Sequence, residues 1–191
     1  MDDEKGKCLI FSAPSGSGKT TVVRHLLRHI PELSFSVSAT SREPRPGETP
    51  DKDYIFLGAD EFREKVDAGD FLEWEEVYPN RLYGTLKSEV KRVWNNEKHV
   101  VFDVDVEGGV SLKKIFGERA LSVFVQAPSI AALEERLRAR STETEESIQA
   151  RVQKAGKEME FADKFDRVLV NDNLNEALKS AEQIAREFLE V

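Results

Sequence analysis

Apolar positions recur along this chain at two different periods, and the switches between them mark out the elements. Residues 7–12 (KCLIFS) are a short apolar run closed by a Pro/Ser/Gly cluster, which predicts a buried strand. Over residues 20–30 the period becomes helical, with Val22, Val23, Leu26, Leu27 and Ile30 on one face and Pro31 as the stop. Phe35 and Val37 then alternate with Ser34, Ser36 and Ser38, as in a strand. Residues 41–53 hold three prolines and a glycine and read as loop. Asp60 stands where a helix cap belongs, ahead of Phe62 and Val66, and Gly69 closes that helix. Residues 71–77 alternate loosely between apolar and acidic side chains, predicting a half-exposed strand, and residues 87–96 predict a short helix.

The second half of the chain is more regular. Residues 100–106 predict a buried strand running into acids, 110–116 a helix, 120–126 a strand, and 129–138 a helix with Ile130, Leu133 and Leu137 on one face. A longer helix follows over 145–162, with Ile148, Val152, Ala155 and Met159 in register, then a strand at 167–170 and a helix at 176–189. Strand and helix alternate at both ends of the chain, the pattern of an α/β fold with a parallel sheet and crossover helices. Residues 34–86 carry extra strands and few long helices, with no internal repeat or low-complexity tract.

Composition narrows the class. With 191 residues, 39% hydrophobic and 34% charged, the chain suits one globular domain. Its longest apolar runs are too short to cross a bilayer, and the start, MDDEKGK, is unlike a signal peptide, so a cytoplasmic protein without membrane association is expected. The single cysteine, Cys8, offers neither an intrachain disulfide nor a metal cluster and reads as a small buried hydrophobe. A net charge of −8 repels nucleic acid polymers, so any phosphate-binding groups must be concentrated in one place.

One such place follows the first strand. In Ala13-Pro14-Ser15-Gly16-Ser17-Gly18-Lys19-Thr20 the glycines let consecutive backbone N–H groups turn inward around phosphate oxygens. Lys19 then reaches the outer phosphates, Thr20 holds magnesium, and the helix that begins there adds its positive end, with Thr21 in its first turn. The first position is Ala13 where the pattern has glycine, which fits if that backbone is not left-handed. This is a P-loop for a nucleoside triphosphate with Mg2+. Asp103 ends the strand at 100–106 and suits the water shell of that magnesium. Asp105 projects to the same face by strand periodicity, though both acids could instead cap the strand and the next helix.

Arg42 and Arg45, three apart in the proline-stiffened loop, suit a small dianion, with Tyr54 as a further phenolic donor. At this point the chain resembles the guanylate kinases, which move a phosphoryl group from ATP to GMP. The resemblance rests on FSVSATSREPRPGE at 35–48, KDYIF at 52–56, FLEWEEV at 71–77, YGT at 83–85, FDVDVEG at 102–108 and RSTETEESIQAR at 140–151. It implies a three-layer P-loop kinase fold: a core of residues 1–33, 87–137 and 153–191, an inserted GMP-binding region at 34–86, and a lid at 138–152. Arg42, Arg45, Tyr54 and Tyr83 are implied to hold the GMP phosphate, and Ser38, Glu73, Thr85 and Asp105 to read the guanine, with Asp103 beside them.

Chemistry agrees with that assignment for Glu73. Guanine presents two N–H donors that one carboxylate accepts together, whereas adenine offers a lone pair at the same edge. Arg136, Arg140 and Arg151 match the family's lid arginines, which neutralise the moving phosphoryl group together with Lys19 and Arg42 and exclude water. Ser141 stands where the family usually has glycine, and Arg138 falls off the pattern. Asn171 belongs to a segment (VND) that the family places beside the adenine, through backbone contacts that tolerate many side chains. The implied reaction is direct transfer of the γ-phosphoryl of MgATP to GMP, with dGMP a further acceptor. ATP and GMP are then the partners, and the chain is a monomer or homo-oligomer. The alternatives are a kinase of another nucleoside monophosphate or a sugar phosphate, and a phosphopeptide-binding interaction module. His25 and His29, without a third ligand, read as solvated, Trp94 as packing, Asn173 as a turn residue, and residues 143–146 as a solvent-facing acidic run.

Overall fold

The computed structural model describes residues 6–139 and 145–191. The first half of the chain forms β1 (Cys8–Ser12), α1 (Lys19–His29), β2 (Leu33–Phe35), β3 (Ala39–Thr40), β4 (Ile55–Phe56), α2 (Ala59–Asp67), β5 (Phe71–Tyr78) and β6 (Arg81–Leu86). The second half forms α3 (Lys87–Asn95), β7 (His99–Asp103), α4 (Val106–Phe116), β8 (Ala120–Gln126), α5 (Ile130–Arg138), α6 (Glu145–Met159), β9 (Arg167–Val170) and α7 (Leu174–Leu189). A five-stranded parallel sheet runs β2-β7-β1-β8-β9, and a four-stranded sheet runs β4-β3-β6-β5. No described helix is long and apolar enough to cross a membrane.

The central strand explains the layering. All five residues of β1 are buried, so it reads as an unbroken apolar run. Leu9 and Phe11 point to one face, where they meet Val22 and Leu26 of α1 and Ala181 and Ala185 of α7. Cys8 and Ile10 point to the other, where they meet Val90 and Trp94 of α3 and Leu112 and Phe116 of α4. Burial pushes the Cys8 thiol up to about 12, so it stays protonated. Trp94 packs edge-on against Phe116 with ring centroids 5.9 Å apart. The smaller sheet closes over its own core of Ala39, Leu57, Phe62, Phe71, Leu82 and Leu86, and α5 packs on α6 through Leu133, Leu137, Ile148 and Ala155.

Local expectations fail where tertiary contacts override them. The alternating stretch at 34–38 is not one strand. Leu33–Phe35 pairs with β7 in the parallel sheet, the Val37 N–H donates to Glu89 Oε2 at 3.0 Å, and Ala39 opens the other sheet. Gly58, not Asp60, is the N-cap of α2; Asp60 sits in the first turn, where its charge suits the helix dipole. The strand expected to reach residue 106 ends at Asp103, and Asp105 caps α4 by accepting the Gly108 N–H at 2.8 Å. Gly108 and Gly109 hid the start of α4. Asn173 caps α7, accepting from the N–H groups of Asn175 and Glu176. The His25 and His29 rings stack at 4.0 Å; His29 is exposed as expected, whereas His25 is partly buried with Nε2 3.3 Å from Glu182 Oε2.

Leu26 has no exposed surface and lies between α1, the sheet and α7. Leu26→Ala is expected to lower unfolding free energy by about 2–5 kcal/mol, read from the urea midpoint at unchanged slope.

Candidate functional site

The site grows from the carboxyl ends of the parallel strands, where such sheets hold their ligands. Gly16 and Gly18 both adopt φ +93°, the left-handed region that lets residues 13–20 turn tightly between β1 and α1. Ala13 is not among the positive-φ residues, so its methyl group is tolerated there. Ser17 N donates to Pro14 O at 3.1 Å, and Gly18 is the N-cap of α1 without any side-chain cap, which leaves first-turn amides for a ligand.

Strand β7 lies beside β1 with Asp103 paired to Phe11, which brings Asp103 next to the loop. Lys19 Nζ sits 2.8 Å from Asp103 Oδ1 and also donates to the Val104 carbonyl. Thr20 Oγ1 donates to Asp103 Oδ2 at 3.0 Å. Two oxygen donors side by side fit a hard divalent cation that takes its remaining ligands from phosphates and water. Among the described residues no group of three His, Cys, Asp or Glu side chains could hold a metal by itself.

The smaller sheet supplies the opposite wall of a cavity of about 380 Å³. From the loop side it is lined by Ala13, Pro14, Ser15, Gly16, Gly18, Lys19, Thr20 and Thr21; from the facing side by Ser38, Tyr54, Glu73 and Tyr83; Asp103, Asp105 and Arg151 also line it. Thr85 is buried beneath Glu73 and donates its hydroxyl to Glu73 Oε1 at 2.6 Å. Burial pushes the Glu73 carboxyl up to about 7, against the Thr85 hydrogen bond and with the help of Asp105 and Glu75. Tyr54 is also raised, chiefly by burial.

Arg42 is held in a defined fork. Its Nη1 and Nη2 each donate to Glu48 at 2.7 Å, Nε donates to Tyr83 Oη at 3.1 Å, and the guanidinium lies over the Tyr54 ring at 4.9 Å. The Arg42 fork in turn holds the Glu48 carboxyl down at about 2. Arg45 is exposed at the loop tip, where its N–H donates to Glu48 Oε2.

Other expected residues sit behind the cavity. Ser17 has no exposed surface, and Asn171 is buried under the loop with its side chain engaged there. That differs from the backbone role expected of Asn171. Arg136 donates to the Asn171 carbonyl at 2.8 Å. Arg138 forks between Glu134 and Glu145 on the surface. Glu145 and Glu146 are exposed, whereas Arg140, Ser141, Glu143 and Thr144 lie outside the described residues.

Five cavity residues were given no role in the sequence: Glu75, Val77, Gly84, Val104 and Glu158. Glu158 is 8% exposed, its Oε2 has no hydrogen-bond partner, and burial raises its carboxyl against the Ser15 amide and Lys19 and Lys154. A helical signal for it exists, since it lies two turns from Arg151 on the same face of α6.

The guanylate kinase family model matches residues 5–188. The guanylate kinase of Bacteroides fragilis is 50% identical over 185 residues, covering 97% of this chain and 91% of that protein. That of Porphyromonas gingivalis is 48% identical and covers 96% and 98%. The crystal structure of guanylate kinase from Anaplasma phagocytophilum superposes with a TM-score of 0.77 at 27% identity, over 97% of this chain and 87% of that one. A shikimate kinase from Bacteroides thetaiotaomicron, at 14% identity and TM-score 0.51, shares the fold alone.

A carboxyl raised to about 7 in the folded chain opposes folding above that pH and is neutral below the ordinary carboxylate range. Glu73→Gln keeps an oxygen for Thr85 and removes the charge. It is therefore expected to raise Tm by a few degrees at pH 8 and to leave it unchanged near pH 4. Scanning calorimetry at both pH values checks the sign.

Proposed function

The chain belongs to the guanylate kinase family, and we propose that it transfers the γ-phosphoryl of ATP to GMP, releasing ADP and GDP. One observation carries the assignment of roles: a phosphate loop and a half-buried carboxyl, Glu73, face each other across one cavity. Residues 13–21 take the ATP phosphates, and residues 34–86 form the GMP-binding region. Arg42, Arg45, Tyr54 and Tyr83 take the GMP phosphate, with Arg42 pre-aimed by Glu48. Ser38, Glu73, Thr85 and Asp105 read the guanine edge. On this reading dGMP is a further acceptor.

Catalysis on this reading is positioning and neutralisation of charge. Lys19 exchanges Asp103 for the outer phosphates, while Arg136, Arg140 and Arg151, in and beside a lid at 138–152, close on the transferred group and exclude water. The GMP phosphate oxygen attacks in line; the bond from phosphorus to the ADP oxygen breaks as the new one forms. Thr20 and Asp103 would hold the magnesium that accompanies ATP, which supplies positive charge at the phosphates. An acidic chain with substrates of this size suits a cytoplasmic enzyme.

A coupled ADP-release assay across GMP, AMP, CMP and UMP tests the assignment. GMP is expected to exceed AMP in kcat/KM by about 10⁴-fold; equal rates would remove Glu73 as the base reader. Lys19→Ala is expected to cut turnover by orders of magnitude at little change in GMP affinity. Guanine needs the Glu73 carboxylate, so GMP affinity is expected to fall as pH drops through about 7, and Glu73→Gln to flatten that profile. Titration calorimetry between pH 6 and 8 reads it.

A further inference from the structure

Asn171, the residue after β9, is 4% exposed; it hydrogen-bonds to three different elements, while its side-chain Oδ1 is buried without a partner. Its N–H donates to the Gln126 carbonyl of β8 at 2.7 Å. Its carbonyl accepts from Arg136 Nη2 of α5 at 2.8 Å, and its side-chain Nδ2 donates to the Ser17 carbonyl of the phosphate loop at 2.8 Å. The side chain presses so close that a Cβ on Gly18 would fall 2.4 Å from Nδ2. The loop and this amide therefore interlock, and only glycine fits at position 18.

The bond has a consequence on the far side of the loop. No peptide in the described chain is cis, so the Ser17 carbonyl and the Gly18 N–H belong to one planar trans unit and point in opposite directions. Holding the carbonyl down into the protein turns that N–H up toward the cavity that Gly18 lines. Left alone, this peptide plane could turn over. A flip carries Gly18 from φ +93° to about −90°, which glycine adopts as readily. The flipped plane would aim a carbonyl oxygen at the phosphates.

Building on the proposed ATP site, we propose that Asn171 is a positioning residue: its hydrogen bond to the Ser17 carbonyl locks the Ser17–Gly18 peptide with its N–H toward the triphosphate. It acts through the cradle and not through the nucleoside.

Calorimetric titration of the full chain with MgATP, magnesium tripolyphosphate and GMP separates these routes. Asn171→Ala is expected to weaken MgATP and magnesium tripolyphosphate together, by roughly tenfold to a hundredfold for one lost buried hydrogen bond, with GMP affinity unchanged. Asn171→Asp, isosteric and carrying an oxygen and a charge against the Ser17 carbonyl, is expected to lose more, and it serves as the readout should the alanine variant not fold. Loss of MgATP affinity alone, with tripolyphosphate unaffected, would place the side chain against the nucleoside and overturn the proposal. Unchanged binding of both, or an equal loss for GMP, would overturn it too. A wild-type chain that binds neither MgATP nor tripolyphosphate would instead remove the phosphotransfer reading on which the proposal rests.

Discussion

The parallel pairing of β1 with β7 is the constraint on which the site depends. It sets Asp103 beside the phosphate loop, so that Lys19 lies 2.8 Å from one carboxylate oxygen and Thr20 3.0 Å from the other. Both charged partners are mostly shielded from water, so each would be costly to leave alone. The lysine is thus held extended beside the phosphate loop. An incoming polyanion offers it a stronger partner, and the freed carboxylate is already next to the hydroxyl with which it would share a cation.

A chain of net charge −8 that handles two phosphorylated ligands needs local reversals of sign. On one side backbone amides and Lys19 supply positive groups; on the other Arg42 and Arg45 stand beside a single carboxylate, Glu48, which fixes the Arg42 fork over Tyr54. Between them the cavity keeps three acids, Glu73, Glu75 and Glu158, in places where burial disfavours their charge. Such groups oppose folding and persist where a ligand's donors repay them. Glu73 is the clearest case, since Thr85 satisfies only one of its oxygens.

Legibility in the sequence followed the strength of local pattern. β8 and β9 match their expected bounds because nothing but strand fits those short apolar runs, and β1 and α1 shift by one residue. β3, β4 and β6 were hidden, two by their length of two residues and one by Gly84 and Thr85 in its middle. The phosphate loop is a contiguous motif and was plain. Arg42 meeting Tyr83 across 41 residues became an expectation only through resemblance to a family, because no local rule joins them. Glu158 and the buried role of Asn171 depend on how α6 and β9 pack under the loop, and no periodicity announces that. Asp105 shows the reverse error: a true strand pattern was extended three residues past its end, through the cap and into the first residue of α4.

The central claim is that a half-buried carboxylate on the smaller sheet, Glu73, decides which base is accepted. The ratio of kcat/KM for GMP to that for AMP, in the wild-type chain and in Glu73→Gln at pH 8, tests it most directly. The account predicts that the substitution collapses the ratio by at least about 10²-fold, chiefly through loss of GMP. An unchanged ratio, with both substrates slowed equally, would contradict it.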